Sequence, residues 1–461
     1  MKNTYFLKLK HSIVLFCSIS ILMTIQACES IVDIDLPDNR INQEDVFKDL
    51  STTKSSLTNL YIKVRDTPFL SKANTGVSFS LSLFTDETTH IGNAPNSFYL
   101  NNITASSNEM ALWWNNAYQD IYPINAFIIG LSKSHHIQEQ TKKQLIGEAY
   151  TLRALYYQNL VQLFGDIPYT TSIDYTDNTR IKKTSYQEVL LLIEKDLLFA
   201  YENLSYTYRD SQRFYINKSV AELLLSNNYL LQRKYDKAEL FSKAVIDNPN
   251  YKLEDDINKV FKNGAKSTLW QLSPNLNTAI TPEAAIYQIK TIGINTVSAS
   301  KELVDLFSLS DLRYHHWLLK VTLNDQEFHQ INKYKNTANN TDEFSIFFRL
   351  EEAYFNLSIS LALQDKLPQA IENLNIIRQK RGLNSLNSSL DKDSFIKQYL
   401  EESSREFFTE NGKRFFDLKL TQKIQDLSKI KPNWKSNYNL FPIPEKQLQM
   451  NKNLLPNNIG Y

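Results

Sequence analysis

Three pairs of adjacent ionisable residues are the most obvious candidates for catalysis or metal binding: Asp86–Glu87, His135–His136 and His315–His316. Side chains of consecutive residues diverge on a helix or strand, so the two acids cannot face each other across a substrate as glycosidase carboxylates do. The histidine pairs lack the i,i+4 spacing that puts two zinc ligands on one helix face. The chain also has no Gly-x-Ser-x-Gly motif and no glycine-rich phosphate loop. We therefore expect no catalytic residue, no metal and no cofactor, and a protein that is not an enzyme.

Two loop segments instead have side chains that suit binding. Sugar rings stack their C–H faces on aromatic side chains, and their hydroxyls pair with amide donors and acceptors. The alternative for each segment is packing of the loop onto the rest of the protein. The candidate ligand-binding residues are His90, Asn93, Asn96, Phe98 and Tyr99 in the first cluster, and Tyr314, His315 and Trp317 in the second.

The N-terminus has the pattern of an exported lipoprotein. Lys2, Lys8 and Lys10 precede an apolar stretch, Ile13–Ile25, that is too short to span a bilayer comfortably and fits a secretory signal. The residues that end at Cys28 resemble a bacterial lipobox, in which a small residue precedes the lipidated cysteine. We predict a signal peptide over residues 1–27 and a palmitate-bearing anchor at Cys28. An ordinary signal peptide with an incidental cysteine is the alternative.

The cysteine count and the net charge restrict the kinds of cross-link and ligand that the protein can have. Cys17 lies in the predicted signal peptide, so Cys28 would be the only cysteine left, and an internal disulfide is excluded. Loss of residues 1–27 removes three lysines and no acid, so the net charge of +1 becomes about −2. This is too close to neutral for electrostatic capture of nucleic acid. No other segment is apolar enough to cross a membrane, so we expect a soluble body on a lipid anchor.

Apolar residues at helical spacing predict a mainly α protein. In two zones a pair of amphipathic helices is separated by a short turn, a pattern similar to a tetratricopeptide repeat. Such pairs cannot bury their apolar faces alone and need stacked neighbours. Gly165 is the expected C-cap of the first zone, and Pro168 blocks continuation of its helix. The predicted zones are Glu109–Leu163, Tyr186–Leu204, Lys218–Pro249 and Phe348–Arg381.

Long polar stretches separate the helical zones, and loops of this length usually carry function. Short β-prone runs are predicted to pair within them, at Thr268–Leu272 and Phe328–Tyr334. The expected fold is a tetratricopeptide-like helical-repeat scaffold with a loop-rich ligand-binding portion and short β elements. The loop-rich stretches are Ile31–Ser107, Leu204–Ile216, Tyr251–Asn340 and Lys431–Tyr461.

Two longer stretches, from Lys142 to Thr170 and from Arg405 to Lys419, resemble signature segments of the SusD/RagB family of nutrient-binding outer-membrane lipoproteins. Further matches follow in order along almost the whole mature chain. They include Leu83–Thr88, Ser300–Arg313 and the closing Gly460–Tyr461. By this resemblance, residues 28–215 form an N-terminal region and residues 216–461 a C-terminal region of one mature unit, 28–461.

The resemblance implies a function in nutrient capture at the outer membrane. Members of this family bind glycan fragments, and sometimes peptides, at the cell surface, and sit on a SusC-like TonB-dependent transporter. We therefore expect a surface-exposed, lipid-anchored protein that captures an oligosaccharide and delivers it to such a transporter. A peptide-binding member of the family, or a surface scaffold or adhesion lipoprotein without a transport role, is the alternative.

Charged residues recur inside the apolar helical patterns. Buried charges persist in proteins when they are paired and hydrogen-bonded, so we expect most of these residues to lock helices and loops together. A charged ligand pocket is the functional alternative. The residues are Glu148, Arg153, Arg349, Glu352, Arg414 and Asp417.

The anchoring hypothesis gives a first prediction. Cys28→Ala should leave the protein folded but detached from the membrane fraction, because no other apolar segment can hold it there. Metabolic labelling with a fatty-acid probe tests this directly. Label that persists on the alanine variant would place the lipidation site elsewhere.

Overall fold

The computed structural model describes residues 45–276 and 278–461. The predicted signal peptide 1–27 and the lipidation site Cys28 lie outside the described residues. Helices dominate the described part of the chain. In chain order they are α1 (Leu50–Asp66), α2 (Val77–Phe84), α3 (Asn108–Lys133), α4 (Glu139–Phe164), α5 (Tyr175–Thr179), α6 (Tyr186–Asn203), α7 (Lys218–Leu231), α8 (Tyr235–Ile246), α9 (Pro282–Tyr287), α10 (Lys301–Val304), α11 (Leu312–Trp317), α12 (Leu350–Leu363), α13 (Leu367–Lys380), α14 (Lys392–Phe407), α15 (Lys413–Leu420) and α16 (Glu445–Met450), with short 3-10 helices at Asp45–Phe47, Ile257–Lys259, Ile424–Lys429 and Lys452–Leu454.

The long helices form a continuous stack. Helices α3, α4, α6, α7, α8, α12 and α13 pack side by side, each against the next in this order. All four predicted helical zones are therefore confirmed, and the first contains two helices. In both predicted repeat pairs, one residue in the left-handed region makes the turn between helices: Arg233 (φ 59°) and Asp365 (φ 61°).

The two repeat pairs also share an interhelical hydrogen bond. In the first pair, Ser226 Oγ donates to the carbonyl of Ala238 at 3.2 Å. In the second, Ser358 Oγ donates to the carbonyl of Ala370 at 2.7 Å. Both alanines are fully buried, and a small side chain there lets the partner helix approach closely. The same contact at the same place in both pairs confirms the tetratricopeptide-like scaffold.

Helices α1 and α2 correct the sequence-based expectation that Ile31–Ser107 is loop-rich. The carboxylate of Asp49 caps α1 by accepting from Thr52 N at 3.0 Å. Helix α2 reads VSFSLSLF, an alternation typical of a strand, but all eight of its side chains are buried. A helix that is buried on every side shows no amphipathic period. Its serines can form local hydrogen bonds; for example, Ser82 Oγ donates to the Phe79 carbonyl at 2.7 Å.

The short strands form three antiparallel pairs in the described chain, β1 with β3, β2 with β6 and β4 with β5. Both β-prone runs form strands, but each pairs with a strand that was not predicted from the sequence. The β4–β5 hairpin turns through Asn324 and Asp325, both with positive φ, as a two-residue hairpin requires. The strands are β1 (Thr88–His90), β2 (Thr268–Gln271), β3 (Val297–Ala299), β4 (Leu318–Leu323), β5 (Gln326–Ile331) and β6 (Ile346–Arg349).

The C-terminal segment closes the end of α4. Gly165 ends this helix with φ 74°, which confirms the predicted cap. The last carbonyls of α4 accept hydrogen bonds from the C-terminal segment. Phe441 N donates to the carbonyl of Leu163 at 2.7 Å. Asn458 Nδ2 donates to the carbonyl of Phe164 at 2.8 Å. Phe47–Tyr461 forms one compact unit, and its division at residue 216 stays a prediction.

Most of the predicted buried charges are paired. Arg153 makes two hydrogen bonds to Asp196, both of 2.8 Å. Tyr61 donates to Glu148 at 2.6 Å, and Arg209 lies 3.3 Å from the same carboxylate. Arg414 is paired with Asp86, Asp417 with Lys413, and Arg349 with Glu406 and Glu410. Glu352 instead accepts a hydrogen bond from Asn227 Nδ2.

Glu406 of α14 lies at the centre of a large buried charge cluster. Its carboxylate accepts from Arg313 at 2.9 Å, from Arg349 at 2.6 Å and from Arg381 at 2.8 and 3.0 Å. All four side chains are at most 2% exposed. Burial disfavours the ionised form of Glu406, but the three guanidinium groups outweigh it and hold its pKa well below the usual range.

Glu406→Gln should lower the free energy of unfolding by about 3–5 kcal/mol, because it removes the negative charge that three buried arginines share. Glu372→Gln, on the exposed side of α13, is the matched control and should leave stability unchanged. Since the folded-state pKa is depressed, the stabilisation by Glu406 is present above the ordinary pKa of 4.5 and is lost as pH falls through the folded-state value. Urea titrations between pH 7 and pH 3 test both points. Equal midpoints for Glu406→Gln and wild type would contradict this account.

Leu152 of α4 is fully buried. Leu152→Asp should destabilise the protein by about 3 kcal/mol or more, because it buries a carboxylate with no partner. Gln140→Asp, at an exposed position of the same helix, controls for the new charge. Thermal melts compare the two variants, and an unchanged melting temperature for Leu152→Asp would show that this helix face is not part of the core.

Candidate functional site

A small β framework connects the two loop clusters predicted from the sequence. Strand β1 ends at His90 and pairs with β3, with His90 opposite Val297. Ser298 of β3 joins the next strand: its hydroxyl donates to the His329 carbonyl and accepts from His329 N, both at 3.1 Å. His329 belongs to β5 and lies beside Tyr314 of the second cluster. Both clusters are therefore attached to paired strands, which fix their positions.

The first cluster brings His90 and Tyr99 together. Their ring centroids are 6.1 Å apart with the planes tilted by 39°, and both side chains are partly exposed. Nε2 of His90 lies 2.9 Å from the Ile294 carbonyl. Asn96 shapes the loop, since its Oδ1 accepts from the backbone N–H of Tyr99 at 3.0 Å. Asn93 is exposed beside them.

The second cluster is centred on Tyr314 of α11. Its ring centroid lies 5.4 Å from that of His315 and 6.2 Å from those of His329 and Phe307. His315 is exposed, and its Nε2 lies 2.8 Å from the Leu309 carbonyl. The cluster thus presents a partly exposed aromatic ring with imidazole groups around it.

Two of the predicted site residues are packing residues instead. Phe98 is 3% exposed, with its ring centroid 5.1 Å from that of Trp113. Trp317 is 1% exposed; it packs against Phe261 at 5.2 Å and against the guanidinium of Arg381 at 5.3 Å. A buried ring has no free face for a ligand. We therefore correct the sequence-based assignment and remove both residues.

Lys431 and His329 were missed by the sequence reasoning. Nζ of Lys431 lies 4.8 Å from the centroid of the Tyr99 ring and donates to the Leu83 carbonyl at 2.8 Å. Burial lowers the pKa of Lys431 to about 8, although the Asp86 carboxylate favours the charged form and opposes this shift. No short-range signal could place either residue, because each reaches its cluster through tertiary packing.

We call the retained residues the aromatic loop surface. Their rings can stack on a ligand, and their amide and imidazole groups can exchange hydrogen bonds with it. Within residues 45–276 and 278–461, no group of three His, Cys, Asp or Glu side chains could hold a metal ion. The aromatic loop surface consists of His90, Asn93, Asn96, Tyr99, Tyr314 and His315, with His329 added by the structure, and the buried Lys431 packs against the Tyr99 ring.

Comparison with known proteins agrees with this picture. A family model of the SusD-like group, described as "Starch-binding associating with outer membrane", matches residues 36–230. A SusD-like protein of Formosa agariphila, P38, is 24% identical over 483 residues, an alignment that covers 91% of this chain and 93% of that protein. These matches support the SusD/RagB family indicated by the sequence motifs, a family of carbohydrate-binding proteins that associate with the outer membrane.

Solved structures of SusD-like proteins share the fold. A SusD superfamily protein from Bacteroides vulgatus superposes with a TM-score of 0.76 at 18% identity, over 90% of this chain and 100% of that one. A laminarin binding SusD-like protein superposes with a TM-score of 0.75 at 21% identity, with the same coverage of both chains. At these identities the likeness concerns the fold alone, and it matches the mainly α class expected from the sequence.

Proposed function

We propose that this SusD-like protein is a cell-surface lipoprotein that captures glycan fragments on the aromatic loop surface and delivers them to a partner TonB-dependent outer-membrane transporter. Its match to a carbohydrate-binding family supports a glycan as the ligand. The observation that carries the choice of surface is the position of Tyr99 and Tyr314. Each ring is partly exposed beside a histidine, on a framework of paired strands.

The chemistry of this surface fits a sugar chain. The tyrosine rings would stack on the C–H faces of successive sugar rings, and the amide of Asn93 and the imidazoles of His90 and His315 would pair with hydroxyls. Hydrogen bonds that already hold the histidines fix their orientation, so little ordering entropy is lost on binding. A laminarin binding SusD-like protein of the same fold makes laminarin a reasonable first ligand to test.

Attachment to the outer membrane is part of the same proposal. In the described residues, no helix combines the length and apolar character needed to span a bilayer. A lipid on Cys28 would hold the protein at the membrane while residues 28–461 carry out binding. Attachment of this kind would keep the binding surface close to a transporter in the same membrane.

Tyr99→Ala and Tyr314→Ala should each weaken glycan binding by about 1–3 kcal/mol, the range for aromatic anchors at a binding hot spot. Their melting temperatures should stay close to that of wild type, because neither ring is buried. Tyr175→Ala, which removes an 80% exposed tyrosine of α5, is the matched control for loss of a surface ring. Trp317→Ala should instead lower stability, as expected for a core residue. Calorimetric titration with laminarin and starch oligosaccharides, with melts in parallel, measures both quantities.

The alternatives predict different results in the same assays. Binding of peptides but not of oligosaccharides would identify a peptide-binding member of the family. Purification from outer membranes without a TonB-dependent transporter, but with another surface protein, would favour the scaffold or adhesion alternative. Glycan binding that is unchanged in both tyrosine variants would rule out the aromatic loop surface as the site.

A further inference from the structure

A cavity of about 100 Å³ lies between the helix stack and the C-terminal part of the chain. Helices α4, α7, α12 and α15 contribute its walls, and the aromatic rings of Phe347, Phe348, Phe407 and Phe416 line part of it. One buried water needs roughly 10–15 Å³ of such space, so the cavity has room for a small molecule. It is separate from the aromatic loop surface, since the two have no residue in common.

Side-chain amides of α4 line the cavity with hydrogen-bond acceptors. The NH₂ groups of three amides are already used by backbone carbonyls: Gln158 donates to Leu224 O at 3.2 Å, Asn159 to Leu155 O at 3.0 Å and Gln162 to Gln158 O at 3.0 Å. Their amide oxygens accept no hydrogen bond from residues 45–276 or 278–461. An amide oxygen can only accept, so these groups are free to accept from a donor in the cavity.

Glu352 adds a negative charge to the same wall. Its side chain lines the cavity, the residue is 9% exposed, and its Oε1 accepts from Asn227 Nδ2 at 2.9 Å. Across the described ranges Glu352 has no ion pair. The other two acids of the cavity are neutralised, Glu410 by Arg349 at 2.9 Å and Asp417 by Lys413. Burial raises the pKa of Glu352, and the more distant Lys413 only partly offsets this effect.

Most donors of the cavity wall are used by the protein itself, and Lys413 is paired with Asp417. Arg349 uses its guanidinium on Glu406 and Glu410. Asn411 Nδ2 donates to the Phe347 carbonyl at 2.7 Å. A carboxylate and several amide oxygens are therefore left facing a space with few free donors. The complementary ligand brings N–H groups and a positive charge.

We propose that this cavity binds a small organic ammonium ion, whose N–H groups donate to Glu352 and to the amide oxygens of α4. The aromatic walls suit both the hydrocarbon part of such a ligand and its charge. Rings of this region already stack with cations of the protein: Lys72 Nζ lies 4.5 Å from the Phe347 centroid, and Arg349 Cζ lies 4.4 Å from that of Phe407. This site goes beyond the proposed glycan binding and does not depend on it.

Benzylamine and benzyl alcohol are suitable probes, because they have the same size and differ in the ammonium group. Each has about eight non-hydrogen atoms, within the capacity of the cavity. Calorimetric titration in an amine-free phosphate buffer should show saturable binding of benzylamine and at least about tenfold weaker binding of benzyl alcohol, the factor expected for a hydrogen-bonded charge.

Glu352→Gln should weaken benzylamine binding by about tenfold or more and leave benzyl alcohol unaffected. The variant should fold, since the glutamine oxygen can still accept from Asn227, and a thermal melt checks this. Glu372→Gln removes the same charge from an exposed position and should bind benzylamine like wild type. Tyr99→Ala should also bind benzylamine normally, which separates this site from the glycan surface.

Three results would overturn the proposal. They are no saturable binding of benzylamine to wild type, equal affinity for amine and alcohol, and unchanged affinity in Glu352→Gln. The glycan titrations are independent of these three results, because the cavity and the aromatic loop surface share no residue. Glu352→Gln should therefore bind oligosaccharides as wild type does. A failure of the glycan proposal would likewise leave the benzylamine results in place.

Discussion

The carboxylate of Glu406, which three buried arginines share, holds different parts of this protein together. Arg313 comes from α11, Arg349 from the junction of β6 and α12, and Arg381 from the end of α13, and all three meet at Glu406. Two of these positions belong to the helix stack and one to the loop-rich part. Arg313 is followed directly by Tyr314, so the cluster that fixes the core also sets the position of one half of the aromatic loop surface. Surface rings can stay rigid here because their neighbours in the chain are buried and paired.

Much of the helix stack could be predicted from the sequence, because amphipathic helices show their apolar period directly. The two repeat pairs, the Gly165 cap and the mainly α class all follow from spacing and from two special residues. Helices α1 and α2 could not be predicted in this way. Serines and threonines give α1 a polar composition, and α2 is buried on all sides, so neither shows a clear stripe. Strand partners were also missed: β2 pairs with the distant β6, whereas β5 pairs with β4 in a local hairpin whose Asn324–Asp325 turn was not recognised.

The candidate site could be predicted only in part. Loop position and residue type correctly directed attention to His90, Tyr99, Tyr314 and His315 as side chains with exposed surface. The same criteria also selected Phe98 and Trp317, which face inward. Aromatic residues suit both a core and a ligand surface, and only tertiary packing decides between them. Glu352 shows the opposite case: its sequence context groups it with the structural ion pairs, yet it is left with an amide as its hydrogen-bond partner.

The position of Glu406 after all three arginines in the sequence has a consequence for biosynthesis. A ribosome produces the three arginines before it reaches their shared counter-ion, and the residues that close the end of α4 come later still. A chain that stops short of α14 retains Asp311 and Glu351 as partners of these arginines but lacks Glu406, the carboxylate that all three share. The buried charge cluster therefore cannot be completed until α14 has been made.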